Sequence, residues 1–296
     1  MALIEPRRHR RSELVSRYAP LPAWERFHDA DLKQFTHAIV ATPPLEHWPT
    51  LRRLVERGIH VLVEKPLCAD ERDGKKILKL ALSRRAAVRV AFNMRCAKVM
   101  REVKKRIDRN VIGRVKIFQA FSGQHFPAFR PDYRSIYWAD SGQGGCSLDA
   151  LTHFVDLSQW FLGNVEWGGG AASNLGLKNV PVDDSACMIL KGTRGEQGMI
   201  ATNQFQAPNE ARFVWTGEKG SITVQNPGGV LGSYKKGASS WQKTKFTSGR
   251  DDAYILQAKL FMRETSGIDS GLCGVPEAFK NLRLCLKLKK TFKTPS

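Results

Sequence analysis

The sequence predicts two consecutive α/β-type regions: a parallel sheet wrapped by helices, then an α+β region with an open, mainly antiparallel sheet. Three observations carry this. Between Thr36 and Phe92, short apolar runs alternate with stretches of helical periodicity. From Val165 onward, several β-rich segments follow one another, separated by glycine-bearing turns. The 296 residues suffice for two domains, and nothing in the composition departs from a globular protein, with 42% hydrophobic and 25% charged residues.

In the first region, His37-Ala38-Ile39-Val40-Ala41 reads as a strand stopped by Thr42-Pro43-Pro44. Trp48, Leu51, Leu54 and Val55 recur at helical spacing, and Gly58 closes that helix. Ile59–Val63 is the next strand, residues 70–83 the next helix and Ala87–Phe92 a third strand. Helices of this length between strands imply right-handed crossovers and a parallel sheet covered on both faces. Ligands bind beyond the carboxyl ends of such strands. Those ends carry Thr42-Pro43-Pro44, Glu64-Lys65-Pro66 and Asn93-Met94-Arg95. After a helix over 98–110, the spacing predicts a strand over 115–122 and a helix over 147–162. Strands follow over 186–190, 198–206, 211–216 and 221–225, and helices over 253–264 and 277–290 close the chain.

No apolar run approaches the length of a membrane span, and the basic N-terminus lacks a secretory h-region. Six scattered cysteines without a C-x-x-C pair suit reduced thiols in a cytoplasm and argue against a zinc site. The formal charge of +19 is the outlier. Part of it sits on Lys98, Arg101, Lys104, Lys105, Arg106 and Arg109, interleaved with Val99, Met100, Val103 and Ile107 as on the wet face of an amphipathic helix. Such a face is either simply solvated or attracts an anionic ligand. No zinc-finger, RNP-type or basic-zipper signature supports nucleic-acid binding.

Two constellations could carry chemistry. Lys65, directly after an apolar strand, is a cation able to hydrogen-bond a substrate hydroxyl and steady alkoxide charge; a strand-ending charge pair with Glu64 is the equal alternative. In Gly144-Gly145 through Asp156, the spacing predicts Asp149, His153 and Asp156 on one helical face. A histidine there can take a proton from an alcohol, with a carboxylate one turn away setting its tautomer or anchoring the same hydroxyl. A capped helix with a buried, satisfied histidine is the competing reading.

The order Glu64-Lys65-Pro66, then Phe92-Asn93-Met94-Arg95, then Gly144-Gly145 with Asp149, His153 and Asp156 resembles the Gfo/Idh/MocA oxidoreductases. Thr42-Pro43-Pro44 with His47 resembles the family's loop beside the nicotinamide ribose. The resemblance implies a Rossmann-type domain over 1–94 and a substrate and oligomerisation domain over 95–296. It implies NAD or NADP as cofactor and hydride transfer to or from a secondary alcohol of a sugar, polyol or nucleotide sugar. Lys65, Asp149 and His153 are then the expected catalytic residues, and Glu5, Thr42, Pro43, Pro44, His47, Glu64, Lys65, Asn93 and Arg95 the expected cofactor-binding ones; no metal is expected. The Lys65–Pro66 bond is expected to be cis, and a homo-oligomer through the C-terminal sheet is implied. The family's opening strand, G-x-G-x-x-G turn and helix have no counterpart here. Ala2–Pro6 resembles the tail of the second strand, which makes the Rossmann sheet incomplete and places Glu5 at the adenosine ribose. The alternatives are a non-catalytic relative with impaired cofactor binding and a basic nucleic-acid-binding protein.

Overall fold

The computed structural model describes residues 1–226, 228–264 and 270–293; the remaining stretches of the expected second domain lie outside the described residues. The chain opens with β1 (Leu3–Ile4), α1 (Arg8–Tyr18) and β2 (Ala23–Trp24), the two strands pairing in parallel. Helix α1 escaped the hydrophobic pattern because it has almost none: it is mostly polar and buries no residue. Next come β3 (His37–Val40), α2 (His47–Val55), β4 (His60–Val63), α3 (Glu71–Ser83) and β5 (Val88–Val90), the alternation the sequence predicts. β3, β4 and β5 run parallel in that order. Their core residues, Val61 and Val63 among them, are sealed between helices. Asp70 caps α3 by accepting from the Asp73 amide at 2.8 Å.

β1–β2 form a separate two-stranded sheet, and among the described residues β3 has no partner on its outer edge. Ile39, at 62% exposure, lies uncovered on that outer strand. An unpaired parallel strand with an exposed isoleucine is unusual, since parallel sheets are normally buried on both faces.

After α4 (Lys98–Asp108) the texture changes to β6 (Val115–His125), a short α5 (Phe126–Phe129), then α6 (Leu151–Leu162), β7 (Val165–Ser173), β8 (Ser185–Gly192), β9 (Gln197–Asn203), β10 (Phe205–Gly217), β11 (Gly220–Asn226), β12 (Val230–Lys235) and β13 (Gln242–Lys245). These strands form one eight-stranded sheet ordered β13-β12-β11-β10-β6-β9-β8-β7. Only β6 and β9 pair in parallel; every other pairing is antiparallel. α6 and α8 (Val275–Lys289) cover one face, burying a cluster that includes Phe118, Phe213, Trp215 and Leu288. The single run expected over 198–206 is broken at Gln204, whose amide bonds the Asp184 carbonyl while its own carbonyl accepts from Phe126.

The C-terminal elements return to the first sheet. α7 (Asp252–Glu264) packs against the turn over residues 93–96, with Phe261 buried against Leu62 and Ala91. β14 (Cys273–Gly274) adds an antiparallel strand beside β5. The two regions are further joined by a buried charge cluster: the Arg95 guanidinium grips Asp156 of α6 through Nε (2.9 Å) and NH2 (2.7 Å). Its NH1 meets Glu277 of α8 at 3.2 Å, and the guanidinium lies 5.8 Å from the Trp160 ring centroid. The expectation that Asp156 shares a face with Asp149 and His153 is therefore corrected: it turns inward because a buried cation demands a partner. Arg95, expected at the cofactor, is corrected on the same grounds, being 3% exposed and fully engaged.

Removing one partner of such a pair strands the other in a dry interior. Asp156→Ala is expected to cost about 3–5 kcal/mol of stability, read as a lowered urea midpoint; an unchanged midpoint would show that the pair does not tie the regions together.

Candidate active site

The carboxyl ends of β3, β4 and β5 face the start of α6, and the site is built where they meet. Lys65 follows β4 at the cis Lys65–Pro66 bond. Its ammonium reaches Asp149 Oδ1 at 2.5 Å and the Asp149 carbonyl at 3.1 Å. The second contact exists because the entry to α6 is irregular. Ala150 and Leu151 amides both bond the Cys146 carbonyl, and His153 bonds Ala150, so the Asp149 carbonyl is left out of the helical ladder. The helix expected from residue 147 thus begins at Leu151, with Asp149 in the preceding turn. Asp149, in that turn, and His153, in the first turn of α6, both lie near Lys65.

The glycine pair explains how this entry is shaped. A Cβ on Gly144 would overlap the Trp138 carbonyl, and Gly145 has φ +90° with Asp183 where a side chain would stand. Asp183 Oδ2 then accepts from the Ser147 amide and hydroxyl, each at 2.7 Å, while Lys289 Nζ holds the Gly144 carbonyl at 2.7 Å. Asp183, Lys289 and Gln204 escaped the sequence reading. Gln204 alone left a signal: alternation along 198–206 puts this polar residue in register with buried Ile200 and Thr202.

The electrostatics follow from burial and pairing. Burial pulls the Lys65 ammonium down, but Asp149, then Tyr137 and Glu64, outweigh it, so the group stays above the usual lysine range and charged. Burial pushes Asp149 up, yet Lys65 first, with His153 and Gln204, holds it below the usual carboxylate range. Burial, reinforced by the Lys65 cation, pushes His153 down to about 3 against partial relief from Asp149. His153 packs edge-on to Phe92, and its Nδ1 is sealed without a partner. Of the two roles expected for the carboxylate, setting the His153 tautomer is not the one its contacts serve: its oxygens are taken by Lys65 and Gln204. Burial also raises Glu64, whose Oε2 accepts from the Lys65 amide at 3.3 Å.

The other expected cofactor residues divide. Thr42 and Pro43 are exposed and Asn93 half-buried at the strand ends; Pro44 is buried beneath them. His47 is corrected: it is 0% exposed, with Nε2 on the Thr42 carbonyl (2.9 Å) and Nδ1 facing Pro66 and Leu67 carbonyls (3.1 and 3.2 Å), so it ties the two loops together. Glu5 follows β1, and its carboxylate is occupied by Arg7 through both Nε (2.9 Å) and NH2 (3.0 Å).

Residues 1–92 match the profile described as "Oxidoreductase family, NAD-binding Rossmann fold", and residues 100–223 match "GFO/IDH/MocA C-terminal domain". The chain belongs to the Gfo/Idh/MocA oxidoreductase family. Its N-terminal region is thus of the NAD-binding Rossmann type, whose cofactor is NAD or NADP. An inositol 2-dehydrogenase of Rhizobium meliloti is 25% identical over 194 residues, 64% of this chain and 56% of the relative. A levoglucosan dehydrogenase of Pseudarthrobacter phenanthrenivorans is 26% identical over 208 residues, 62% and 53% respectively. The alignments thus span about half the length of these curated relatives. Among solved structures, levoglucosan dehydrogenase in complex with NADH and levoglucosan superposes with a TM-score of 0.87 at 17% identity, over 98% of this chain and 87% of that one. UDP-N-acetylglucosamine 3-dehydrogenase from Acidithiobacillus ferrooxidans gives 0.81 at 15% identity, over 98% and 89%. These likenesses establish the fold, a Rossmann domain followed by a mainly antiparallel sheet domain.

The low His153 value has a consequence for stability. The unfolded chain takes a proton on this histidine near the ordinary 6.5, the native state only near 3. In that window the unfolded state binds more protons, so stability falls as pH drops. From pH 7 to 5 this one group is expected to remove about 2 kcal/mol. His153→Gln should lose correspondingly less in urea titrations at the two pH values, although His47 and His37, also lowered by burial, keep part of the slope. Parallel losses in the two proteins would refute the assignment.

Proposed function

We propose that this protein is an NAD(P)-dependent oxidoreductase that moves a hydride between nicotinamide and a secondary alcohol of a sugar, polyol or nucleotide sugar. Residues 1–94 form the cofactor domain and 95–296 the substrate domain. The observation that carries the reading is the Lys65 ammonium, fixed by Asp149 at the carboxyl end of a parallel strand with neutral His153 beside it. An ammonium has three N–H groups. Asp149 takes two of them, and the third is left for a substrate oxygen.

The nicotinamide, when bound, supplies the hydride acceptor or donor. Thr42, Pro43 and Asn93 would flank its end of the cofactor, at the strand edge where Glu64 and Lys65 emerge. As an alcohol is oxidised, Lys65 stabilises the charge building on oxygen, and His153 receives the hydroxyl proton. Asp149 keeps Lys65 charged and aimed. The residues present fit this end of a dinucleotide; the pyrophosphate end is another matter. Among the described residues, no glycine-rich turn joins a strand of the first sheet to a helix N-terminus, the element that normally grips pyrophosphate. The second reading, a relative that retains the substrate pocket with an impaired cofactor grip, is separated from the first by cofactor binding.

The sheet face opposite α6 and α8 carries Phe121 (37% exposed) and Ile189 (49%) beside Met199 and Val214, and we assign it to contact with a second copy of the chain. Ile189→Glu should shift the protein toward monomer in size-exclusion chromatography; an identical elution would remove this assignment. No helix among the described residues is long and apolar enough to cross a membrane, and the six cysteines are free, as suits a reducing cytoplasm.

Against a panel of sugars and polyols with NAD or NADP, Lys65→Ala is expected to lower kcat/KM by about 10²–10³-fold and His153→Ala by about 10²–10⁴-fold. Unaltered turnover in both would sink the dehydrogenase reading. An absence of turnover in the parent chain, with calorimetry showing no NADH binding, would select the second reading instead.

A further inference from the structure

Asp149 is held by more than Lys65. Its second oxygen accepts a hydrogen bond from Gln204 Nε2 at 3.0 Å, and Gln204 Oε1 accepts from the Trp138 indole N–H at 2.9 Å. Gln204 and Trp138 are each 1% exposed. This chain of contacts has only one workable polarity. An indole nitrogen only donates, so the amide oxygen of Gln204 must face Trp138 and its NH2 must face Asp149. An NH2 pointing at Asp149 requires an acceptor there, which the ionised carboxylate provides. That carboxylate in turn accepts one Lys65 ammonium proton, and the Asp149 backbone carbonyl accepts another. The polarity thus runs from indole to amide to carboxylate to ammonium.

The backbone fixes this link as firmly as the side chains do. Gln204 sits at the break between β9 and β10, its amide bonded to the Asp184 carbonyl at 2.9 Å and its carbonyl to the Phe126 amide at 3.0 Å. Trp138 is packed among Phe126 and Tyr133, with ring centroids at 4.9 and 5.7 Å. Its own carbonyl accepts from Gly145 at 2.9 Å. The 126–139 segment therefore touches the Asp149 loop twice, once through backbone and once through Gln204. Neighbouring Tyr137, 36% exposed, lies close enough for Asp149 and Lys65 to bias its hydroxyl.

We propose that Gln204, oriented by Trp138, is a positioning residue of the reaction: it keeps Asp149 ionised and in place, and thereby keeps Lys65 charged and aimed at the substrate oxygen. The role rests on the dehydrogenase reading for its purpose, but the arrangement itself can be tested without turnover. If the Gln204 contact is lost, Asp149 gives up a donor that favours its charged form, and its hold on Lys65 weakens. Burial then weighs more heavily at Lys65 and shifts it toward the free amine.

The test is competitive labelling of the full chain with acetic anhydride across a pH series, with Lys65 acetylation read by mass spectrometry against exposed Lys75. Gln204→Leu removes both contacts at near-constant volume. Trp138→Phe keeps the aromatic packing and removes only the donor that orients the amide, and it covers the case in which the first variant fails to fold. In folded variants, Lys65 labelling at pH 8 is expected to rise on the order of tenfold, its profile moving to lower pH while Lys75 is unchanged. A Lys65 profile matching the parent in folded protein would overturn the proposal, even if the parent oxidises a sugar. A shifted profile in a chain without turnover would support the proposal and leave the dehydrogenase reading alone to fail.

Discussion

The buried pair of Arg95 and Asp156 is the constraint on which the remaining geometry hangs. Arg95 ends the turn after the last parallel strand, and Asp156 lies one helical turn into α6, so their bond sets α6 against the carboxyl edge of the first sheet. Both side chains are all but dry, at 3% and 1% exposure. A charge in that setting must be paired, so the bond favours one relative placement of the two layers. With α6 fixed, His153 near its start and Asp149 just before it come to face the end of β4, where Lys65 emerges. Glu277 and Trp160 complete the cluster and bring α8 into the same joint.

Within that joint, the polar groups form a graded series in which each one's state is set by its neighbour. Lys65 remains charged because Asp149 answers it, and Asp149 remains ionised because Lys65 and Gln204 both donate to it. His153 remains neutral because it is buried beside the resulting cation. On the proposed reading, the cation fixed by a carboxylate would steady negative charge on a substrate oxygen, with the imidazole next to it. The same logic explains why the segment entering α6 is irregular. A regular helix from residue 147 would consume the Asp149 carbonyl in its own ladder, and Lys65 would lose a contact.

The first sheet presents the opposite situation, an interaction left open. β3 is unpaired at its outer edge, Ile39 is uncovered, and β1–β2 stand as a separate pair among the described residues. The ends of β3, β4 and β5 lie together beside Lys65, where the nicotinamide end of a dinucleotide would sit on the proposed reading. The pyrophosphate end depends on backbone N–H groups at a glycine-rich turn, which the described residues do not offer.

What the sequence determined by itself was whatever depends on local pattern. The alternation of apolar runs and helical stripes located β3 to α3, the β-rich texture after Val165 announced the second sheet, and the order of Lys65, Asp149 and His153 supplied the candidate site. Local pattern also misled where a side chain's role depends on what lies across the fold. His47 at the start of α2 and Arg95 in the 93–96 turn lie at strand ends that should face a ligand, yet burial turned both to structural partners. Asp156 shares the i, i+3 spacing with His153 but serves Arg95. The break at Gln204, the Trp138 link and the Asp183 and Lys289 clasps on the glycine pair were decided only by tertiary structure. They join residues dozens of positions apart, and a hydrogen bond between distant segments leaves no period in the sequence.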